Sequence, residues 1–193
     1  MVLLSRSLVP NLKLPINDLA ESDAKSPLRS LFHGAIGAML WEYLPLWSEP
    51  MDEAVRELFE RYQNFFKRSL AADFDKEEVA KLYASEFIAA SPAGVMAGKN
   101  DETLVQAMAQ GYEHYREIGT QEMRIRGLRL SPIDDLHCVA HVSWTATYVR
   151  GDLPETAIDF DVHYLVQILN GSAKVFGWVS GDEQALLKQH GII

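Results

Sequence analysis

Two side chains with acid–base chemistry stand two residues apart in a stretch of alternating apolar and polar residues. The stretch spans residues 158–168, and Asp161 and His163 occupy two of its polar positions. Residues two apart in a strand lie on the same face of the sheet. A carboxylate beside an imidazole can act as a general acid and base near neutral pH. This is the candidate catalytic pair, although solvated cross-strand charges or a polar dimer interface are the simpler explanation.

A second candidate site consists of aromatic side chains with polar tips at apolar positions of predicted helices and strands. Such a set could bind a flat or apolar small molecule, with the hydroxyl groups fixing its orientation. The alternative is a packed core in which each hydroxyl is satisfied locally. The candidate pocket residues are Tyr62, Tyr83, Tyr112, Trp144, Tyr148 and Tyr164.

Metal and phosphate motifs are absent from the sequence. It has no Cys-x-x-Cys or His-Glu-x-x-His pattern, and residues 94–98 lack the Lys-Ser/Thr ending of a phosphate loop. His137, His141 and His163 have the alternation that would bring them near one another on two strands, without a metal-ligand motif. We therefore expect neither a metal nor a cofactor.

Composition limits the possible partners and the compartment. The 193 residues include 18 basic and 27 acidic side chains, a net charge of −9 that argues against non-specific nucleic-acid binding. The single cysteine, Cys138, excludes an internal disulfide and fits a reducing compartment, so we expect a cytoplasmic protein. Residues 28–47 are apolar, but Arg29, Glu42 and Pro45 interrupt them, and we expect no membrane span.

The proline-rich first 50 residues differ from the rest of the chain. They hold five of the eight prolines and show no steady hydrophobic period. We expect a loosely structured arm or a short helix packed on the domain. Alternatively, Met51 is the natural start and the preceding residues come from a misassigned one. The single folded domain is predicted over 51–193.

Hydrophobic periodicity predicts the elements of that domain. A helical period begins after Met51, and further helices are predicted from the capping residues Asp75 and Asn100. After Gly119 the period becomes two, and its slip at Gly127 predicts a β-bulge. Four strands form an antiparallel meander with a hairpin turn at residues 170–171, and a capping box over 180–183 opens a last short helix. The fold class is α+β, with helices on one face of a bent sheet.

This order resembles the nuclear transport factor 2-like (NTF2-like) superfamily, in particular its SnoaL-like and ketosteroid-isomerase-like members. The resemblance spans roughly residues 53–190 and implies a cone-shaped, cystatin-like roll. In that roll three N-terminal helices pack on a curved antiparallel sheet, a short C-terminal helix follows, an apolar pocket is enclosed, and homodimers are frequent. The segments that carry it are 60–62, 72–75, 82–87, 91–94, 97–99 and 176–178.

The chain departs from the isomerase-like members at two positions. Where they place a carboxylate base before a proline, this chain has Ser91 before Pro92. Where they place a protonated acid in the penultimate strand, it has Leu165. Tyr62 matches the first-helix tyrosine that would donate to an oxyanion. Because that chemistry needs both a base and an acid, we do not expect steroid-type isomerisation.

Three functional hypotheses remain open. The first is a SnoaL-like domain that binds a small hydrophobic molecule without necessarily catalysing a reaction. The second is a lyase, isomerase or hydrolase that uses Asp161 and His163 as a relocated acid–base pair, which would require both side chains to point into a cavity. The third is a dimerisation or scaffold module whose polar sheet face is the partner surface. We expect a homodimer.

Overall fold

The computed structural model describes residues 48–151 and 153–193. The predicted arm over residues 1–50 lies outside these ranges apart from its last three residues, as does the choice between an arm and a misassigned start. The helices of the described ranges are α1 (Ser48–Leu70), α2 (Lys76–Leu82), α3 (Glu102–Glu117) and α4 (Glu183–Gln189). None of these helices is long and apolar enough to cross a membrane. The strands are β1 (Tyr83–Ser91), β2 (Gly94–Lys99), β3 (Thr120–Pro132), β4 (His137–Arg150), β5 (Leu153–Leu169) and β6 (Ser172–Ser180).

The strands form one curved sheet in the order β2-β1-β6-β5-β4-β3. The predicted antiparallel meander is confirmed for β3 to β6. The sheet is larger than this meander and is not wholly antiparallel as predicted, because β1 and β2 add a hairpin between α2 and α3, and β1 runs parallel to β6. The fold class, α+β with helices against a sheet, is as predicted.

Helix α1 covers the inward face of the sheet. Its apolar side chains recur at the helical spacing predicted from the sequence, and they are buried to 2% exposure or less. The opposite side of α1 carries charged groups, of which Arg61 donates to Glu78 of α2 at 2.6 and 3.0 Å. The buried residues of α1 in the predicted stripe are Val55, Leu58, Phe59, Tyr62, Phe65 and Phe66.

The helix caps lie close to the predicted positions, with two corrections. Asp75 caps α2 as predicted, by accepting from the Glu77 amide at 3.0 Å. Helix α3 is capped by Asp101 and not by Asn100, whose side chain donates instead to the Tyr83 carbonyl at 3.0 Å. Helix α4 is capped by Asp182, the third residue of the predicted capping box and not its first.

The two predicted irregularities of the sheet are present. The β3–β4 register jumps between Ile125 and Gly127, so the bulge at Gly127 is confirmed. The turn between β5 and β6 is made by Asn170 and Gly171 with φ angles of 52° and 75°. Positive φ at both central residues is the requirement of a two-residue type I′ hairpin.

A glycine of β2 allows the ring of Phe87 to pack closely against the β1–β2 hairpin. Gly98 pairs with Phe87 across the hairpin, and a Cβ atom at Gly98 would lie 2.4 Å from Cζ of the Phe87 ring. That ring stacks on Trp178 with centroids 5.1 Å apart. Only a residue without a side chain therefore fits at this point of β2.

Candidate functional site

Four tyrosine side chains from different elements meet in the core. They come from α1, β1, α3 and β5, and each is 3% exposed or less. The hydroxyl oxygens of Tyr62 and Tyr83 are 2.5 Å apart, and the rings of Tyr62 and Tyr164 lie 5.7 Å apart. We call this set the tyrosine cluster; its members are Tyr62, Tyr83, Tyr112 and Tyr164.

The environment of the tyrosine cluster keeps its hydroxyl groups protonated. Burial raises the pKa of each one well above the usual value, because a phenolate would lose its hydration there. Nearby tyrosines also raise the pKa of Tyr62 and Tyr112. These hydroxyls can donate and accept hydrogen bonds at neutral pH, but they cannot act as bases.

Trp144 of β4 completes the aromatic core around this cluster. Its ring lies 6.1 Å from that of Tyr62 and 5.7 Å from that of Phe66. Within the described ranges, Tyr112 Oη is buried without a hydrogen-bond partner. A buried polar group of this kind is destabilising by about 1–3 kcal/mol.

A cavity of about 260 Å³ lies on the same inward face of β4 and β5. Val162 of β5 lines it and points to the same side of the sheet as Tyr164. Tyr148 of β4 also lines it and points to the same side as Trp144. Tyr148 is thus the one predicted pocket residue that lines this cavity. The apolar and aromatic part of the lining consists of Tyr148, Ile158, Phe160, Val162, Leu186 and Leu187.

Helix α4 forms one wall of the cavity and is attached at both ends. At its start, Tyr115 of α3 donates to the Glu183 carboxylate at 2.7 Å. Beyond its last residue, Arg150 of β4 donates to the carbonyl of Ile192 at 2.7 Å, and the Ile192 side chain is buried. These contacts hold Leu186 and Leu187 over the cavity.

The predicted catalytic pair lies on the other face of the sheet. Asp161 and His163 are both exposed, and no hydrogen bond joins them in the described part of the chain. The His163 ring contacts His141 of β4, with the two Nδ1 atoms 3.1 Å apart, while Asp161 lies at the rim of the cavity. The pair is therefore together on one face, but its histidine points away from the cavity.

His141 continues a chain of polar contacts across the outer face. Its Nε2 atom lies 3.0 Å from Ser131 Oγ, which also accepts from Arg129 at 3.0 Å. Desolvation lowers the pKa of His141, and Arg129 and His163 lower it further, because each disfavours a second positive charge. His141 and His163 are direct cross-strand neighbours, as the sequence spacing indicated, whereas His137 bonds to Asp134 at 2.8 Å.

The positions at which the isomerase-like members carry acids are occupied differently here. Ser91 ends β1, and its hydroxyl accepts from the Ala93 amide at 3.2 Å. Leu165 lies on the outer face of β5, and the inward position beside it is Tyr164. Neither position therefore carries an acidic side chain.

The single thiol lies buried in β4. Burial raises the pKa of the Cys138 thiol to about 11, so this side chain stays a thiol at neutral pH. In residues 48–151 and 153–193, no three His, Cys, Asp or Glu side chains are placed to hold a metal ion.

Comparison with known families decides the relationship. Residues 52–183 match the model of the family described as NTF2-like protein (DUF6841). This chain belongs to that NTF2-like family. The matched segment covers most of the folded domain and excludes the first 51 residues. A comparison with curated protein sequences finds no match.

Solved structures share the fold of this NTF2-like protein at low sequence identity. An NTF2-like protein with a cystatin-like fold from Novosphingobium aromaticivorans has a TM-score of 0.53 and 13% identity, over 70% of this chain and 88% of that one. A putative scytalone dehydratase from the same species has a TM-score of 0.51 and 12% identity, over 69% and 84%. An NTF-2-like protein from Shewanella oneidensis has 0.51 and 12%, over 68% and 99%. These likenesses establish the cystatin-like α+β fold.

Sequence reasoning missed most of the cavity lining in this NTF2-like protein. Ile158 and Val162 have the alternation of an inward strand face, and Leu187 was assigned to the last helix, but nothing in their spacing distinguishes a cavity from a packed core. Two residues, Gly181 and Asp182, join β6 to α4, and both line the cavity, but nothing in their types or spacing signals it.

Proposed function

We propose that this NTF2-like protein binds a small, mainly apolar molecule in the cavity between β5 and α4. The observation that carries the proposal is an apolar cavity beside a buried tyrosine cluster on one sheet face. Ligand pockets generally combine an apolar lining with a few polar groups that fix orientation.

The size of the cavity limits the ligand. Its volume of about 260 Å³ is just below the range of roughly 300–1,000 Å³ typical of sites for drug-sized molecules. A compound with one ring and a short substituent fits this volume. The Tyr148 ring and the side chains of Ile158 and Val162 would contact its apolar body.

The proposal does not include a catalytic step. An acid–base role for Asp161 and His163 would require both groups to reach the ligand. His163 is engaged with His141 on the outer face, and the cluster hydroxyls are held in the protonated state. Binding and orientation are the chemistry that these side chains support.

Filling the cavity provides the test. The cavity-lining Leu186 is only partly buried, so Leu186→Trp should occupy the cavity while the fold is retained. Ligand-observed NMR with a set of one-ring apolar compounds should detect binding to the natural protein and its loss in the variant. Leu169→Trp, at an exposed position outside the cavity, is the matched control and should bind as the natural protein does. Equal binding by all three proteins would contradict the proposal.

A second proposed function is self-association through the outer face of the sheet. Ile88 and Val179 are 47% and 49% exposed on this face. An arginine row on β3 (Arg124, Arg126, Arg129) and the β5 carboxylate Asp159 lie on the same face. A two-fold axis could place the row of one copy against Asp159 of the other.

Light scattering tests this second proposal. We expect a dimer for the natural protein and a monomer for Val179→Glu, because the new charge would be buried in the interface. Val95→Glu on the edge strand β2, at a position 76% exposed, is the control and should remain dimeric. A monomeric natural protein at tens of micromolar would rule out the proposal.

A further inference from the structure

The cavity has an acidic lining. Four of the lining residues are acidic, and none is lysine, arginine or histidine. A ligand with a negative group would therefore be repelled by this lining. The acidic residues are Asp159, Asp161, Asp182 and Glu183.

Three of these carboxylates already have partners inside the protein. Asp159 accepts from Thr145 at 2.6 Å and lies 3.4 Å from the Arg126 guanidinium. Asp182 accepts from the backbone amide that it caps, and Glu183 accepts from a buried tyrosine hydroxyl. Their negative charge contributes to the field in the cavity, but their oxygens are engaged.

Asp161 differs from the other three. It has no hydrogen bond or ion pair with another described residue, and its cross-strand neighbour is the uncharged Ser143. The closest basic residue along β5, His163, is engaged with His141. Asp161 is therefore the carboxylate at the cavity rim that is available to a ligand.

The edge of the sheet explains how a residue of the outer face reaches the cavity. The β5–β6 ladder begins at the pair Val162–Ser180, so among the described residues β5 pairs only with β4 from Leu153 to Asp161. The cavity opens at this free edge, where side chains from both faces of β5 border it. A ligand could place its apolar body on the inward side and a polar group outside, beside Asp161.

We propose that the ligand of this cavity carries a cationic ammonium group, which pairs with Asp161 while its apolar body occupies the cavity. This inference rests on the proposed binding function and names the ligand class for the same site. Charge complementarity discriminates among ligands of equal size, because the wrong sign leaves like charges facing each other.

Three compounds of nearly equal size and different charge test the inference. They are 2-phenylethylamine, 2-phenylethanol and phenylacetate, titrated by NMR against the full chain at neutral pH and low salt. We expect the amine to bind about three- to tenfold more tightly than the alcohol, and phenylacetate to bind most weakly. The preference for the amine should decrease at 0.5 M salt, where screening shortens the range of the field.

Two variants locate the effect. Asp161→Asn should remove most of the preference for the amine over the alcohol by reducing amine affinity, with little change in alcohol affinity. Glu113→Gln, at an exposed position on α3 away from the cavity, removes the same charge and should preserve the preference. A larger loss in Glu113→Gln than in Asp161→Asn would mean that overall charge, and not Asp161, selects the ligand.

The outcomes separate this inference from the function on which it rests. Equal binding of amine and alcohol, or tighter binding of phenylacetate, overturns the ammonium inference and leaves small-molecule binding intact. If none of the three compounds binds at millimolar concentration, and no other one-ring compound does, both proposals are wrong. Amine binding that survives Leu186→Trp would place the amine outside the cavity and overturn the inference.

Discussion

The two faces of β4 and β5 both carry ring side chains with polar atoms, but those on the inward face are buried and those on the outer face are in reach of solvent. On the inward face, Trp144 and Tyr164 are at most 2% exposed, and the hydroxyl groups there are held protonated by burial. On the outer face, His141 and His163 contact each other in reach of solvent. Polar atoms on the inward face therefore influence stability strongly, while those on the outer face remain free to respond to pH or to a partner.

The largest effect should come from truncating the centre of the inward face. Trp144→Ala removes a side chain that is 1% exposed and should reduce the free energy of unfolding by about 3–5 kcal/mol. Urea unfolding followed by circular dichroism measures this loss. His163→Ala on the outer face of β5 is the control and should change it by less than about 1 kcal/mol. Similar losses of unfolding free energy in both variants would contradict the expectation that the inward face contributes more to stability than the outer face.

An intermediate effect is expected from the shared hydroxyls of the tyrosine cluster. Tyr62→Phe and Tyr83→Phe should each reduce the free energy of unfolding by about 1–2 kcal/mol, because each leaves the other buried hydroxyl without this partner. The double variant should lose less than the sum of the two single losses. Strictly additive losses would show that the 2.5 Å contact between the two oxygens carries no coupling.

The smallest effect concerns the response of the outer face to acid. The pKa of His141 is lowered in the folded protein, whereas an unfolded histidine titrates near 6.5. As the pH falls through about 6.5, the unfolded state takes up a proton first, so the free energy of unfolding decreases. Because His141 is only partly buried, we expect a decrease of less than about 1 kcal/mol between pH 7.5 and 5.5.

Comparison with a variant isolates the contribution of this histidine from those of other titrating groups. His141→Gln cannot take up the proton and should show a shallower decrease than the natural protein in denaturant unfolding at the two pH values. An unchanged difference between pH 7.5 and pH 5.5 would assign the pH response to other residues.

The elements that bury one regular stripe were predictable from the sequence. Helix α1 has six buried apolar residues at helical spacing. Strands β4 and β5 alternate between buried and more exposed residues over more than ten positions, so their patterns are too long to arise by chance. The bulge was predictable because Gly127 shifts that alternation by one residue. In each case the buried face requires apolar residues at a regular spacing, and that spacing is visible in the sequence.

The hairpin of β1 and β2 was not predictable in the same way. β2 lies at the edge of the sheet and buries few side chains, and Gly94 and Gly98 interrupt any alternation. The parallel pairing of β1 with β6 joins segments about 90 residues apart, and no local pattern records such a contact. The cavity was equally hard to predict, because its apolar lining from β4, β5 and α4 has the same spacing as a packed core.

The contact between Gly98 and Phe87 has a consequence for how this sequence can diverge. A methyl group at position 98 would collide with the Phe87 ring, which cannot retreat because Trp178 stacks against it. A change from glycine is tolerated only if position 87 already holds a smaller residue. Across the family, the two positions should therefore vary together, with a side chain at 98 appearing only in chains that have lost the aromatic ring at 87.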